Sequence, residues 1–129
     1  MFQSQNKIEG FIALDKPKGP TSHAIIQDLK KRFGLPKIGH AGTLDPMATG
    51  LLLLCIGEAT KFSRFLIEAD KAYVAELVLG ESTDTYDADG EITEKKSIKG
   101  ITNDSVERAL SELRGTILQK PPMFLSLIH

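Results

Sequence analysis

The sequence has no tryptophan and only one cysteine, Cys55, among its 129 residues. A lone cysteine closes no internal disulfide, and a structural zinc site needs about four ligands. A disulfide framework and a metal centre are therefore not expected, and a reduced, cytoplasmic setting is. No apolar run approaches the roughly 20 residues of a membrane helix. The opening "MFQSQNKIEG" lacks a basic stretch followed by a hydrophobic one, so no secretory signal is expected. Repeats and low-complexity linkers are missing as well. What remains, 41% hydrophobic and 26% charged residues, excludes disorder as the main state. The length suits one modest domain with a real core.

Charge is nearly balanced overall, at −1, but not along the chain. Residues 1–64 carry nine Lys/Arg against five Asp/Glu, and residues 65–129 carry seven against twelve. A basic first half suits a phosphate-bearing partner such as a nucleic acid. A solvated charged face accounts for the same distribution.

Periodicity and punctuation give the elements. Phe11–Leu14 reads as a short strand ending in a Lys-Pro turn. Thr21 and Ser22 are candidate caps of a helix with Ile25, Ile26, Leu29 and Phe33 inward, stopped by Gly34. Lys30, Lys31 and Arg32 fall in its last turn, where the helix dipole favours cations. Leu51–Ile56 is an apolar run of strand length, expected to be buried on both faces. "EATKFSRFLIEAD" suggests a helix with Phe62, Phe65 and Leu66 inside. "KAYVAELVLG" alternates as a strand should. Asp89-Gly90 marks a hairpin turn before a strand near Ile92. A helix is expected from about Asn103 to Leu113, with Val106, Leu110 and Leu113 inward, and "TILQ" as one more strand. This mixture favours an α+β fold, a mixed, mostly antiparallel sheet flanked by helices.

Chemistry concentrates in "IGHAGTLDPMATG", residues 38–50. No Gly-Lys-Ser/Thr and no G-x-G-x-x-G makes it a nucleotide cradle. The acidic stretch "TYDADG" places Thr85, Asp87, Asp89 and Gly90 in calcium-loop positions, but Lys96 stands where the closing Glu belongs. A solvated hairpin loop is the better reading there. His40 taken alone suits packing or hydrogen bonding as well as chemistry. Asp45 differs in kind. Pro46 biases it away from helical angles and offers it no N–H. A carboxylate beside a buried strand needs a partner or a use. An aspartate in a Gly/Thr turn can also bond its own backbone, and the residues alone leave both readings open.

"GFIALDKPKGPTSHAII", "KIGHAGTLDPMATGLLLLCIGEATKF" and "KAYVAELVLGESTDTYDADGEI" resemble, in order, successive motifs of the TruB-type pseudouridine synthases. The resemblance runs from near Gly10 through "GTILQKPPMF" and covers most of the chain. It implies isomerisation of uridine to pseudouridine at position 55, in the T-loop of tRNA. Asp45 in "GTLDP" then corresponds to the catalytic aspartate. His40 in "GHAGT" corresponds to a histidine contacting the RNA near the flipped nucleotide. Tyr73 in "KAYVAEL" corresponds to a tyrosine stacked on the target base. Lys16 and Pro17 in "DKPKG" belong to a motif read as mainly structural.

The implied reaction breaks C1′–N1, turns the uracil and joins C5 to C1′, without net redox change. No cofactor is expected: no nicotinamide, flavin, ATP or metal. A hydrolytic glycosidase would usually need a second carboxylate and admit water, so a dry pocket is expected around Asp45. The resemblance also implies an arginine that pairs with the aspartate and a terminal RNA-binding domain, both downstream of His129. The family's Ser-Ala-Leu-Lys after the prolines is replaced by Leu125, Ser126, Leu127 and Ile128. Residues 1–129 are thus expected to be the N-terminal portion of a single catalytic domain, weakly active or inactive alone. The expected partner is the T-stem-loop of tRNA, with no membrane and a monomer when full length. The rival reading is a non-catalytic RNA-binding module in which Asp45 is only a turn residue.

Overall fold

The computed structural model describes residues 8–118, and its backbone divides after Tyr73 into two compact units. The "LQKPPMFLSLIH" segment singled out by the sequence lies, from Gln119 onward, outside the described residues.

The first unit is built on a three-stranded sheet in the order β1-β3-β2. β1 (Gly10–Lys16), β2 (Ile38–His40) and β3 (Gly50–Ile56) are all paired antiparallel, with β3 in the middle. The register sets Lys16 opposite Gly50 and His40 opposite Leu54. β1 therefore ends beside the start of β3, and β2 runs toward that same end but stops opposite Leu54. The β1–α1 turn and the glycine-rich loop are brought to the same end of the sheet by that pairing.

β3 alternates in the way its apolar run implies. Leu52 and Leu54 pack with Ile26 of α1 (Ser22–Phe33), joined by Leu14, Ile25, Leu29, Ile38 and Leu44. Cys55 faces the opposite side, against Ala41 and Ala59, with Leu53 and Leu66. The strand is covered on both faces as expected, except that Leu51 at its start is exposed. Thr21 caps α1, its Oγ1 accepting from Ala24 N at 3.0 Å. Gly34 ends the helix in the left-handed conformation with φ 61°. Phe33, expected inside, lies exposed at the final turn, where the inward stripe has run past the sheet.

After β3 comes a 3₁₀ turn, Gly57–Phe62, and then the short helix α2, Ser63–Ile67. The change from three to 3.6 residues per turn shifts the inward face. Leu66 stays inside, while Phe62 and Phe65 turn outward. Their ring centroids are 6.4 Å apart, and the Arg64 guanidinium sits 4.6 Å over Phe65.

The second unit holds an antiparallel hairpin of β4 (Glu81–Thr83) and β5 (Ile92–Lys95), followed by α3 (Asn103–Glu112). Thr102 and Ser105 form a reciprocal capping box at the start of α3. Val106 and Leu110 are half-buried, whereas Leu113 is exposed. None of this unit's described residues is fully buried.

Two expected strands are not strands. Residues 71–78 carry no ladder, and Tyr73, Val74, Leu77 and Val78 are exposed. An alternating segment is held extended only by a paired neighbour and a covered face, and among the described residues it has neither. Ile117 and Leu118 are likewise unpaired among the described residues. The architecture is nonetheless the expected α+β, with antiparallel sheets and helices.

Candidate active site

The glycine-rich segment becomes a nine-residue loop, 41–49, joining β2 to β3. Two glycines bound it, Gly42 at φ 113° and Gly50 at φ 111°. A Cβ at Gly50 would meet nothing within 4 Å, and one at Gly42 only Lys71 Cε at 4.0 Å. Space is therefore not why glycine stands there. The backbone angle is, since L side chains rarely adopt it.

Between those glycines the loop is held by side chains from the β1–α1 turn. Lys16 is fully buried, 0% exposed, on the inward face it shares with Leu14. Its Nζ donates to the carbonyls of Ala48 at 2.7 Å, Pro17 at 3.0 Å and Pro46 at 3.1 Å. A buried ammonium with three donors and three acceptors is satisfied without a carboxylate partner. Gly19 N adds a bond to Pro46 O at 2.7 Å. Upstream, Ser22 Oγ bonds both backbone groups of Leu44, accepting from its N–H at 3.0 Å and donating to its carbonyl at 3.1 Å.

Asp45 sits between these anchors. Its carbonyl accepts from Ala48 N at 3.0 Å, closing a turn with Pro46 second. Leu44 sends its side chain into the core. Asp45 is exposed. Among the described residues its carboxylate makes no hydrogen bond and no ion pair. The self-bonded turn aspartate that the residues left open is thus not what forms. The dry pocket is not found either: the described chain leaves Asp45 in solvent, because the strand beside it buries Leu52 and Leu54 and not the loop tip. A groove of about 360 Å³ between β1 and α1, walled by Leu14, Pro17 and Leu29 among others, does not include Asp45.

His40 ends β2, half-buried. Its Nδ1 lies 2.6 Å from the Gly42 carbonyl. A carbonyl only accepts, so Nδ1 carries the proton, and a neutral ring keeps Nε2 as an acceptor. The ring thereby closes the loop at its upstream end. Tyr73 is 70% exposed in the unpaired segment. No hydrogen bond or ring contact joins it to Asp45 or His40 among the described residues. The structure thus sets His40 at the upstream end of the loop that carries Asp45, while Tyr73 makes no described bond or ring contact to either.

Sequence reasoning missed Ser22 as an anchor of this loop. Two signals were present. A helix uses one capping hydroxyl, so adjacent Thr21 and Ser22 left one to spare. Lys16 follows Leu14 by two residues, which in a strand places the cation on the buried face. Among the described residues no group of three His, Cys, Asp or Glu could hold a metal ion, and no helix is long and apolar enough to cross a membrane.

A family model for "TruB family pseudouridylate synthase (N terminal domain)" matches residues 30–129. The chain is 49% identical over 120 residues to the tRNA pseudouridine synthase B of Stutzerimonas stutzeri, covering 93% of this chain and 39% of that one. It is 50% identical over 127 residues to that of Aromatoleum aromaticum, covering 98% and 41%. It therefore spans about two fifths of the length of these relatives. Among solved structures, a chain in a crystal structure of a Cbf5-Nop10-Gar1 complex superposes on 92% of this chain and 30% of its own, with TM-score 0.60 and 28% identity. A chain of the archaeal box H/ACA sRNP Nop10-Cbf5 complex covers 85% of this chain and 30% of its own, at TM-score 0.59 and 28% identity.

Proposed function

The chain belongs to the TruB family of pseudouridylate synthases, and from that premise we propose that it supplies the catalytic carboxylate of an enzyme isomerising uridine to pseudouridine in the T-loop of tRNA. One observation carries the reading: Asp45 is held on both sides by its backbone while its carboxylate is unengaged among the described residues. A turn built only for structure would use that group, because aspartate at such a position readily bonds its own main chain.

The chemistry asks for this arrangement. C1′–N1 breaks, the uracil turns, C5 bonds to C1′, and the C5 proton leaves while N1 takes one up, so no atom is gained or lost. An ionised carboxylate serves either as the nucleophile at C1′ or as the base that takes the C2′ proton. Both routes need it free of competing bonds and aimed at the ribose. The target nucleotide must leave its stack to reach it. With Asp45 on the surface of the described chain, the extruded nucleotide and whatever else closes over it exclude the water that would intercept the detached sugar.

His40 and Tyr73 take supporting parts. His40 Nε2, on a ring fixed through Gly42, faces RNA as an acceptor. Tyr73 stacks on the turned base, a contact worth about 1–3 kcal/mol, and its hydroxyl takes part in removing the C5 proton. The exposed, unpaired segment leaves that ring free to meet a base. The basic half of the chain supplies phosphate contacts.

The test is a mass-labelling assay for pseudouridine with the full-length protein and a T-stem-loop RNA. Conversion of the loop uridine, lost in Asp45→Asn with RNA binding retained, is expected. Salt-sensitive binding without conversion would establish the RNA-binding module instead. Free uracil would point to a hydrolase. The same assay on residues 1–129 alone is expected to give little or no product.

A further inference from the structure

Thr21 alone provides the side-chain cap of α1. The next hydroxyl is spared that duty, yet it is the more deeply buried of the two, with Ser22 1% exposed. It has one proton to give and two lone pairs. It spends the proton on the Leu44 carbonyl and a lone pair on the Leu44 N–H, 22 residues away. Among the described residues it is the only polar partner of either group.

The location of those two groups matters. The Leu44 carbonyl belongs to the peptide plane that enters Asp45, so the hydroxyl holds the plane about which φ of Asp45 turns. The plane that leaves Asp45 is held through its own carbonyl, by Ala48 N. The plane after that is held at the Pro46 carbonyl by Lys16 and Gly19. With both flanking planes fixed, the direction of the Asp45 Cα–Cβ bond is fixed too. No side-chain partner among the described residues steers the carboxylate, so its aim is inherited from its backbone alone.

We propose that Ser22 is a positioning residue for Asp45: its hydroxyl sets the direction in which the carboxylate leaves the loop, and so governs the chemical step while contributing little to RNA affinity. The inference rests on the reading of Asp45 as the reacting carboxylate. Ser22 touches neither RNA nor the reacting atoms. It differs from Lys16, which holds residues downstream of Asp45 and serves the loop as a whole. A displacement of about 1 Å at a reacting group can cost 10²-fold in rate, and the Leu44 clamp is the contact whose loss would allow one.

The experiment uses the full-length protein and T-stem-loop RNA, with single-turnover rate at saturating enzyme and RNA dissociation constant measured separately. Ser22→Ala is expected to slow conversion about 10–100-fold while changing RNA affinity less than twofold. Ser22→Cys, whose thiol bonds weakly but fills the site, should fall between Ala and wild type, and it carries the test if the alanine variant does not fold. Gly34→Ala loosens the same helix at its opposite end, where the added Cβ meets nothing within 4 Å, and should convert at the wild-type rate. Combined with Asp45→Asn, Ser22→Ala should add no further loss, as groups acting as a unit do. A wild-type rate in Ser22→Ala, or in Ser22→Cys where alanine gives no folded protein, overturns the inference. So does a loss matched by Gly34→Ala, or one carried by RNA affinity. If Asp45→Asn itself turns over normally, the reading of Asp45 fails. If Asp45→Asn is inactive and the Ser22 variants are not slowed, only the role of Ser22 fails.

Discussion

Two loops in this chain each carry Gly, Thr and Asp and solve opposite problems. The 41–49 loop and the 84–91 loop each join antiparallel strands. In the second, the carboxylates serve the loop. Asp87 Oδ1 accepts from Thr85 Oγ1 at 2.6 Å and from Asp89 N at 3.0 Å, and Asp84 Oδ1 accepts from Glu91 N at 2.9 Å. In the first, the loop serves the carboxylate. Lys16 and Ser22, both buried, hold the loop's backbone groups, so the turn stands without the Asp45 carboxylate. An aspartate is released for chemistry when residues distant in sequence take over the task of holding its turn.

The largest test of that contrast exchanges the two aspartates' roles. Asp45→Asn in the full-length protein is expected to lower the single-turnover rate by roughly 10³-fold or more, with the melting temperature unchanged, because no described contact depends on its charge. Asp87→Asn should do the reverse, leaving the rate alone and loosening the hairpin. Equal behaviour of the two would erase the distinction.

Lysines make the next comparison. Lys16→Met strands the Pro17 and Ala48 carbonyls, Pro46 keeping its bond from Gly19 N, and should cost about 2–3 kcal/mol in urea denaturation. Lys95→Met removes a bond of 2.7 Å to Glu81 on the exposed hairpin, and should cost less than about 1 kcal/mol. Gly50→Ala should lose about 1–3 kcal/mol for its backbone angle alone, with no clash to relieve. A loss restored by a nearby small substitution would show that space was the reason after all.

Acid gives the smallest effect. The Thr85 hydroxyl, followed by the Asp89 amide, holds the Asp87 carboxyl below its ordinary range. A depressed folded value means the loop bonds are fully present above the ordinary carboxylate range and are lost as pH falls through the lowered value. Hydrogen exchange at the Asp89 amide should accelerate there and not at neutral pH. An acceleration that begins at higher pH would assign it to another group.

The elements with strong local grammar were legible from the residues. Thr21 and Gly34 bound α1, the 51–56 run is the central strand, and the acidic loop containing Asp89-Gly90 joins a hairpin. The failures share one cause. Residues 71–78 alternate correctly but have no described neighbour to pair with, and Phe62 and Phe65 fell outside when a 3₁₀ turn changed the helical count. Periodicity reports which side of a segment is apolar, not whether anything covers it.

Asp45, His40 and the turn that carries them were marked by glycine, threonine and proline at fixed spacing, because backbone angles and side-chain chemistry are local properties. The freedom of the Asp45 carboxylate was not. It depends on β1 pairing with β3 so that Lys16 meets Gly50, and on α1 crossing the sheet so that Ser22 reaches Leu44. Those contacts span dozens of residues. Only the packed sheet and helix decide which polar groups are already spoken for and which one is left to react.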